Sequence, residues 1–173
     1  IVGNIIYVAN AGDSRSVLCR KGGAVPLSFD HKPNDKEETD RIVGAGGFIT
    51  SANGHFRVNG NLNLSRSLGD LKYKQNKTLP REQQMITAQP DLLTETLCPG
   101  DEFIIMACDG VWDVMSNQQA IDFVRVRLKQ GKSPAQIAEE IFDYCIADDP
   151  KTTRGIGGDN MTCIIICIEN LKF

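Results

Sequence analysis

Short apolar runs alternate along the chain with polar breaks rich in glycine, a spacing that suits strands joined by turns. The run Ile104-Ile105-Met106-Ala107-Cys108 stops at Asp109-Gly110, and Val111-Trp112-Asp113 follows. A run of that length closed by a turn signal predicts a fully buried strand that delivers Asp109 to the edge of a core. Two further places share the design. Ile5-Ile6-Tyr7-Val8-Ala9-Asn10-Ala11-Gly12 ends at Asp13, and Asp159-Asn160 opens the apolar run from Met161 to Ile168. Three acidic residues are therefore expected at the ends of three buried strands.

Between these strands the pattern changes period. Residues 4–11 and 15–20 read as strands joined in a hairpin by Gly12-Asp13-Ser14, and 24–29 as a third short strand. Asn34 is placed to cap a helix through Arg41, Ile42 and Ala45, which Gly44, Gly46 and Gly47 should stop. Residues 48–58 suggest a lightly packed hairpin about Ser51-Ala52-Asn53-Gly54. Leucine alternates with polar residues over 60–70, which predicts a strand with one buried face; 71–88 reads as a polar surface loop, and 90–97 as another strand. Ser116 with Gln119, and Ser133-Pro134 with Gln136, are start signals for two helices with apolar stripes. Strands dominate the first two-thirds and a helix pair comes late, so the expected class is α+β rather than an alternating parallel sheet.

Composition narrows the functional classes. A chain of 173 residues is about one domain, and 1–173 is read as a single one. The net charge of −3 offers no electrostatic case for nucleic acid, and no apolar run is long enough to span a bilayer. Six cysteines without a C-x-x-C pair fit free thiols in a reducing compartment, hence an intracellular protein, cytoplasmic or nuclear. Two histidines make a zinc site of the His/Cys type a poor fit. The chain opens at Ile1 and enters a strand pattern almost at once, as a piece of a longer protein would.

The acidic strand ends suit a hard cation. Mg²⁺ and Mn²⁺ prefer carboxylate and water oxygens, and two such ions can activate a water and clamp a phosphoryl group. Each aspartate alone is more often a turn former. Asp113 could equally pair with a nearby cation or cap a turn.

The combination is more specific than its parts. Asn10-Ala11-Gly12-Asp13-Ser14-Arg15, Asp30-His31-Lys32-Pro33, Arg41-Ile42 with Gly46-Gly47, and Val58-Asn59-Gly60-Asn61-Leu62 through Ser65-Arg66-Ser67-Leu68-Gly69-Asp70 occur in order. Gln89-Pro90-Asp91, Ala107-Cys108-Asp109-Gly110-Val111-Trp112-Asp113-Val114 and Gly158-Asp159-Asn160-Met161-Thr162 complete the series. This order and spacing resembles the metal-dependent type 2C protein serine/threonine phosphatases. The resemblance implies an antiparallel β-sandwich flanked by helices (α-β-β-α), here N-terminally incomplete, and a two-metal site that takes Mg²⁺ or Mn²⁺. It implies Asp109 and Asp159 as ligands of a core metal, and Asp13 and Asp113, with Asp109, at positions that hold a weaker third ion in some members. It implies phosphoprotein substrates, and it makes residues 34–58 a flap beside the site.

One departure stands out. The Asp-Gly-His-Gly segment that bridges both metals in the family, an upstream acidic ligand and the phosphate-gripping arginine are absent. His55 follows Asn53-Gly54, and Arg15 and Arg66 are expected to be structural partners instead. The 173 residues alone are therefore expected to lack appreciable phosphatase activity, and to dimerise, swap strands or aggregate through apolar surface that the absent segment would cover. The alternative is a non-catalytic relative, kept as a binding or regulatory module. A cysteine-dependent phosphatase is rejected, because position 114, where a phosphate-binding arginine would follow Cys108, is Val114. A calcium loop at Asp148-Asp149 is rejected for want of ligand spacing.

Overall fold

In the computed structural model the residues described are 1–52 and 54–168. The elements are β1 (Ile5–Asn10), β2 (Arg15–Arg20), β3 (Gly23–Pro26), α1 (Lys36–Gly44), β4 (Ile49–Ala52), β5 (His55–Val58), β6 (Asp91–Thr96), β7 (Asp101–Ala107), α2 (Asp109–Trp112), α3 (Asn117–Lys129), α4 (Pro134–Cys145) and β8 (Cys163–Cys167). The class is α+β with antiparallel sheets and helices, as the pattern predicts. The chain divides into two compact units. One comprises Ile1–Val8, Ser14–Ser28 and the residues from Leu93 onward; the other comprises Ala9–Asp13 and Phe29–Leu92.

The first unit is built in apolar layers. Its four-stranded sheet has the order β3-β2-β7-β8, and β2 and β7 are buried along most of their length. Strand periodicity sends successive side chains to opposite faces. Val17, Cys19, Phe103, Ile105 and Ala107 meet Ala120, Ile121 and Val124 of α3 and Ile137, Ile141 and Cys145 of α4. Leu18, Ile104 and Met106 turn the other way, toward Ile6, Val8, Leu93 and Leu97, which lie on or beside β1 and β6. Burying a side chain such as Phe103 stabilises the fold by about 1.5–3 kcal/mol. Both helices start with the capping boxes read from the sequence, Ser116 with Gln119 and Ser133 with Gln136.

The expected hairpin of β1 and β2 does not form. β1 pairs with β6, whereas β2 pairs with β3 and β7. Gly12 has φ +128°, outside the conformation a tight two-residue hairpin needs, and the chain changes sheets there.

The second unit is held differently. Its apolar cluster is small: Ile42, Val58, Tyr73 and Ile86, with Ile49, Leu62 and Met85 against it. α1 starts at Asp35 rather than Asn34, and the Asp35 carboxylate accepts the Lys32 N–H instead of capping the helix. The helix stops as its glycines predict, with Gly46 at φ +87° and the Gly47 N–H donating to the Ile42 carbonyl. β4 and β5 form the expected hairpin, with Val58 buried, Ile49 half-buried and His55, Phe56 and Arg57 exposed, although Asn53 of its turn lies outside the described residues.

The strand expected over 60–70 is absent. Its alternation is overridden because Ser65 and Arg66 are the buried residues, while Leu68 is 84% exposed. Arg66 donates to Glu38 at 2.7 and 2.9 Å and to Asp91 at 2.6 Å, and Arg41 reaches the second Glu38 oxygen at 2.7 Å. A charged side chain is buried only when it is paired in this way. The stretch 71–88 is likewise more than a surface loop. Two 3₁₀ turns, Leu71–Tyr73 and Arg81–Gln83, bracket a segment tied down by the buried Gln84 side chain.

Candidate active site

The polypeptide leaves β7 at Ala107, which lies opposite Cys163 at the start of β8. Just beyond this pair the two segments are stitched together. The Cys108 N–H donates to the Thr162 carbonyl at 3.2 Å, the Thr162 N–H donates to Cys108 Sγ at 3.2 Å, and the Cys108 thiol donates to the Asn160 carbonyl at 3.4 Å. Gly110 sits so close to the same carbonyl that a Cβ built on it would lie 2.4 Å away. A side chain at position 110 would force the two loops apart, so glycine is required there by contact rather than by backbone angle. Together these contacts bring the Asp109 turn and the Asp159 loop to the same end of the β7–β8 pair.

Asp109 begins α2, a single turn whose Trp112 is anchored by its indole N–H to the carbonyls of Ala107 at 2.8 Å and Arg15 at 3.1 Å. Asp113 follows one turn later and is exposed; its N–H donates to the Asp109 carbonyl at 2.8 Å. Asp159 is exposed and its carboxylate accepts the Asn160 N–H at 2.7 Å. Asp13 belongs to the other unit. It is buried, and its carboxylate is paired with the Lys32 ammonium at 2.7 Å. Among the described residues no three His, Cys, Asp or Glu side chains gather as a ligand group. Asp109 and Asp159 offer hard oxygen donors at one strand end, and one or two carboxylates completed by water is the share a protein usually gives to Mg²⁺. The donor chemistry therefore fits Mg²⁺ or Mn²⁺, with most of the coordination left to other oxygens.

The motif residues outside this strand end form a structural network. Burial alone would push the Glu38 carboxyl up, but hydrogen bonds from Arg41, Arg66 and Ser65 outweigh it and hold the group down at about 2. Asp91 is likewise held below the usual carboxylate range: burial opposes ionisation, and hydrogen bonds from His31 and Arg66 prevail. His31 bonds Asp91 through Nε2 at 3.0 Å, while its Nδ1 accepts the Gly12 N–H at 3.2 Å. Arg15 donates to Asn117 at 2.7 Å and lies over the Trp112 ring. Arg15 and Arg66 are thus the structural partners expected of them. Sequence reading missed Glu38 and Lys32 as members of this machinery, although Lys32 stands inside a motif that marked it.

Three of the cysteines are poorly suited to act as nucleophiles. None of the six forms a disulfide, and burial pushes the thiols of Cys19, Cys145 and Cys163 up to about 11, which keeps them protonated.

Comparison with known proteins bears on the family and the fold. The family profile described as Protein phosphatase 2C matches residues 1–153, a span that takes in Asp13, Asp109 and Asp113 and ends before Asp159. Protein phosphatase 2C homolog 2 of Schizosaccharomyces pombe is 52% identical over 94% of the chain and 42% of its own length. Protein phosphatase ppm-1.G of Caenorhabditis elegans is 54% identical over 92% of the chain and 31% of its own length. The chain thus spans less than half the length of these curated relatives. Among solved structures, a phosphatase from a pathogenic strain of Toxoplasma gondii superposes with a TM-score of 0.78 at 30% identity, covering 96% of this chain and 50% of that one. The serine-threonine phosphatase 2C of Toxoplasma gondii gives 0.74 at 25% identity, covering 95% and 54%. With most of its length matched by the family profile, and relatives at half identity across nearly all of it, the chain belongs to the protein phosphatase 2C family.

Proposed function

We propose that the protein hydrolyses phosphoserine and phosphothreonine in protein substrates, with Mg²⁺ or Mn²⁺ held in part by Asp109 and Asp159. The observation that supports the reading is the stitched β7–β8 end, where the Asp109 turn and the Asp159 loop leave the same end of the strand pair. When bound, a divalent cation supplies a nucleophilic water at neutral pH and neutralises phosphoryl charge. The contribution of the chain's own residues is positional. Trp112 anchors the Asp109 turn, and Gly110 lets the Asp159 loop approach it.

The 173 residues contain no Asp-Gly-His sequence to bridge a second ion, so this stretch by itself is proposed to bind Mn²⁺ weakly and to turn over no phosphopeptide at an appreciable rate. Calorimetric titration of the chain with Mn²⁺ tests the ligand assignment: binding should be measurable in the wild type and absent in Asp109→Asn. Equal binding by the two would remove Asp109 from the site. Manganese-stimulated release of phosphate from a phosphothreonine peptide by the isolated chain would overturn its proposed inactivity.

A further inference from the structure

Within the second unit, residues 71–89 enclose a cavity of about 410 Å³ whose walls include Leu71, Lys74, Arg81, Glu82, Gln84 and Thr87. That volume lies in the range of clefts that take ligands. The walls are set before any ligand arrives. The buried Gln84 amide donates to the carbonyls of Asn76 at 2.7 Å and Leu79 at 2.9 Å, and its oxygen accepts the Asn76 N–H at 3.0 Å. The buried Thr87 hydroxyl donates to the Arg81 carbonyl at 3.1 Å, and the Lys74 ammonium to the Ser67 carbonyl at 2.7 Å. A cleft braced in this way loses little entropy on binding.

Lys74 and Arg81 are the cationic wall residues of the cleft, and Lys72 and Lys77 lie beside them in the sequence. From 71 to 81 the sequence carries Lys72, Lys74, Lys77 and Arg81 and no carboxylate; Glu82 is the one acidic wall residue. Arg81 is exposed, and among the described residues its guanidinium takes part in no hydrogen bond or ion pair. Lys72 and Lys77 are also exposed, and Leu71, at 68% exposure, adds an apolar wall. The four cations are spaced along eleven residues of the sequence, whereas a single phosphate needs its donors at one point. They match several carboxylates spaced along a peptide, with an apolar side chain between them to meet Leu71. Tyr73, the ring in this segment, is buried, so no exposed aromatic face is offered for a base to stack on.

We propose that this cleft is a docking subsite for an acidic, leucine-containing segment of the protein substrate. The word substrate rests on the phosphatase reading above; the binding itself does not. The test is fluorescence anisotropy with the chain and a labelled, unphosphorylated peptide that alternates glutamate and leucine, beside a lysine–leucine control of the same length. The acidic peptide should bind and the basic one should not. Reversing two exposed charges together, Lys77→Glu with Arg81→Glu, should weaken binding about tenfold, and raised salt should weaken it in the wild type.

Equal binding of the two peptides, or unchanged affinity in the double variant, overturns the subsite. Full displacement by millimolar inorganic phosphate also overturns it, in favour of a point-anion site. Because the probe carries no phosphate, the result is independent of turnover. Because the chain alone is proposed to turn over no phosphopeptide, the metal-site reading stands or falls with the Mn²⁺ titration above, and the subsite with the peptide.

Discussion

The two units solve the same stability problem with different chemistry. In the first, Val17, Phe103, Ile105, Ile121 and Ile141 fill the space between a sheet and two helices, and the one buried carboxylate among its described residues, Asp101, pairs with a part-exposed Arg20 away from that core. In the second, the apolar cluster has four fully packed members, and a carboxylate 2% exposed holds two guanidinium groups beside it. Non-directional packing tolerates local change, because neighbours can relax into part of a lost volume. A buried ion network does not, because removing one member leaves its partners charged and dry. The second unit should therefore be the more brittle of the two, although it contains fewer large apolar residues.

The largest expected effect follows directly. Glu38→Gln strands Arg66 and Arg41 and should destabilise the second unit by roughly 3–5 kcal/mol. Hydrogen exchange resolved by residue would show the loss over 36–44 and 65–87 and little change in β7. A uniform loss over both units would mean that they unfold as one and erase the contrast. The double change Glu38→Met with Arg66→Met should recover most of the stability.

Acid should act at the same place. Glu38 is held at about 2 in the folded protein against an ordinary 4.5, so its ionised form stabilises the fold above 4.5. That contribution fades as pH falls from 4.5 toward 2 and is worth on the order of 3 kcal/mol in full. Urea unfolding from pH 5 to pH 2 should therefore converge for wild type and Glu38→Gln. Parallel curves would show that the carboxyl titrates elsewhere.

A smaller effect is expected at the strand end of the first unit. Gly110→Ala must move the Asn160 carbonyl, at a cost of about 1–3 kcal/mol. Its Mn²⁺ affinity should drop by more than its stability explains, when compared with a core change of equal cost such as Ile105→Val. The smallest effect concerns a helix start: Ser133→Ala removes one capping box and should cost about 1 kcal/mol, seen as a slightly lower denaturation midpoint with unchanged metal binding.

Much of the first unit is legible from residues alone. The apolar run ending at Asp109, both capping boxes and the proline that opens α4 each state a local rule that the fold obeys. The second unit was misread where local rules and long-range charge disagree. Leu62, Leu64 and Leu68 predict a half-buried strand, yet Arg66 between them is drawn inward by Glu38, 28 residues away. No period within 60–70 announces a partner that distant. The hairpin expected at Gly12 failed for a related reason, since the partners of β1 and β2 come from far along the chain.

The sequence by itself determined the Asp109 turn as the end of the buried strand β7, the starts of the late helices and, through seven motifs in order, the family. Those are statements about local apolar period, caps and turns, which act over a few residues. β1 and β8, expected to be buried as well, expose Tyr7, Ile164 and Ile166. Only the tertiary structure decided that Cys108 and Gly110 seat the Asp159 loop against the Asp109 turn, that Asp13 pairs with Lys32, and that Arg66 is buried. Each of these depends on close approach or on a charge finding its counter-charge, and neither exists until the chain has folded back on itself.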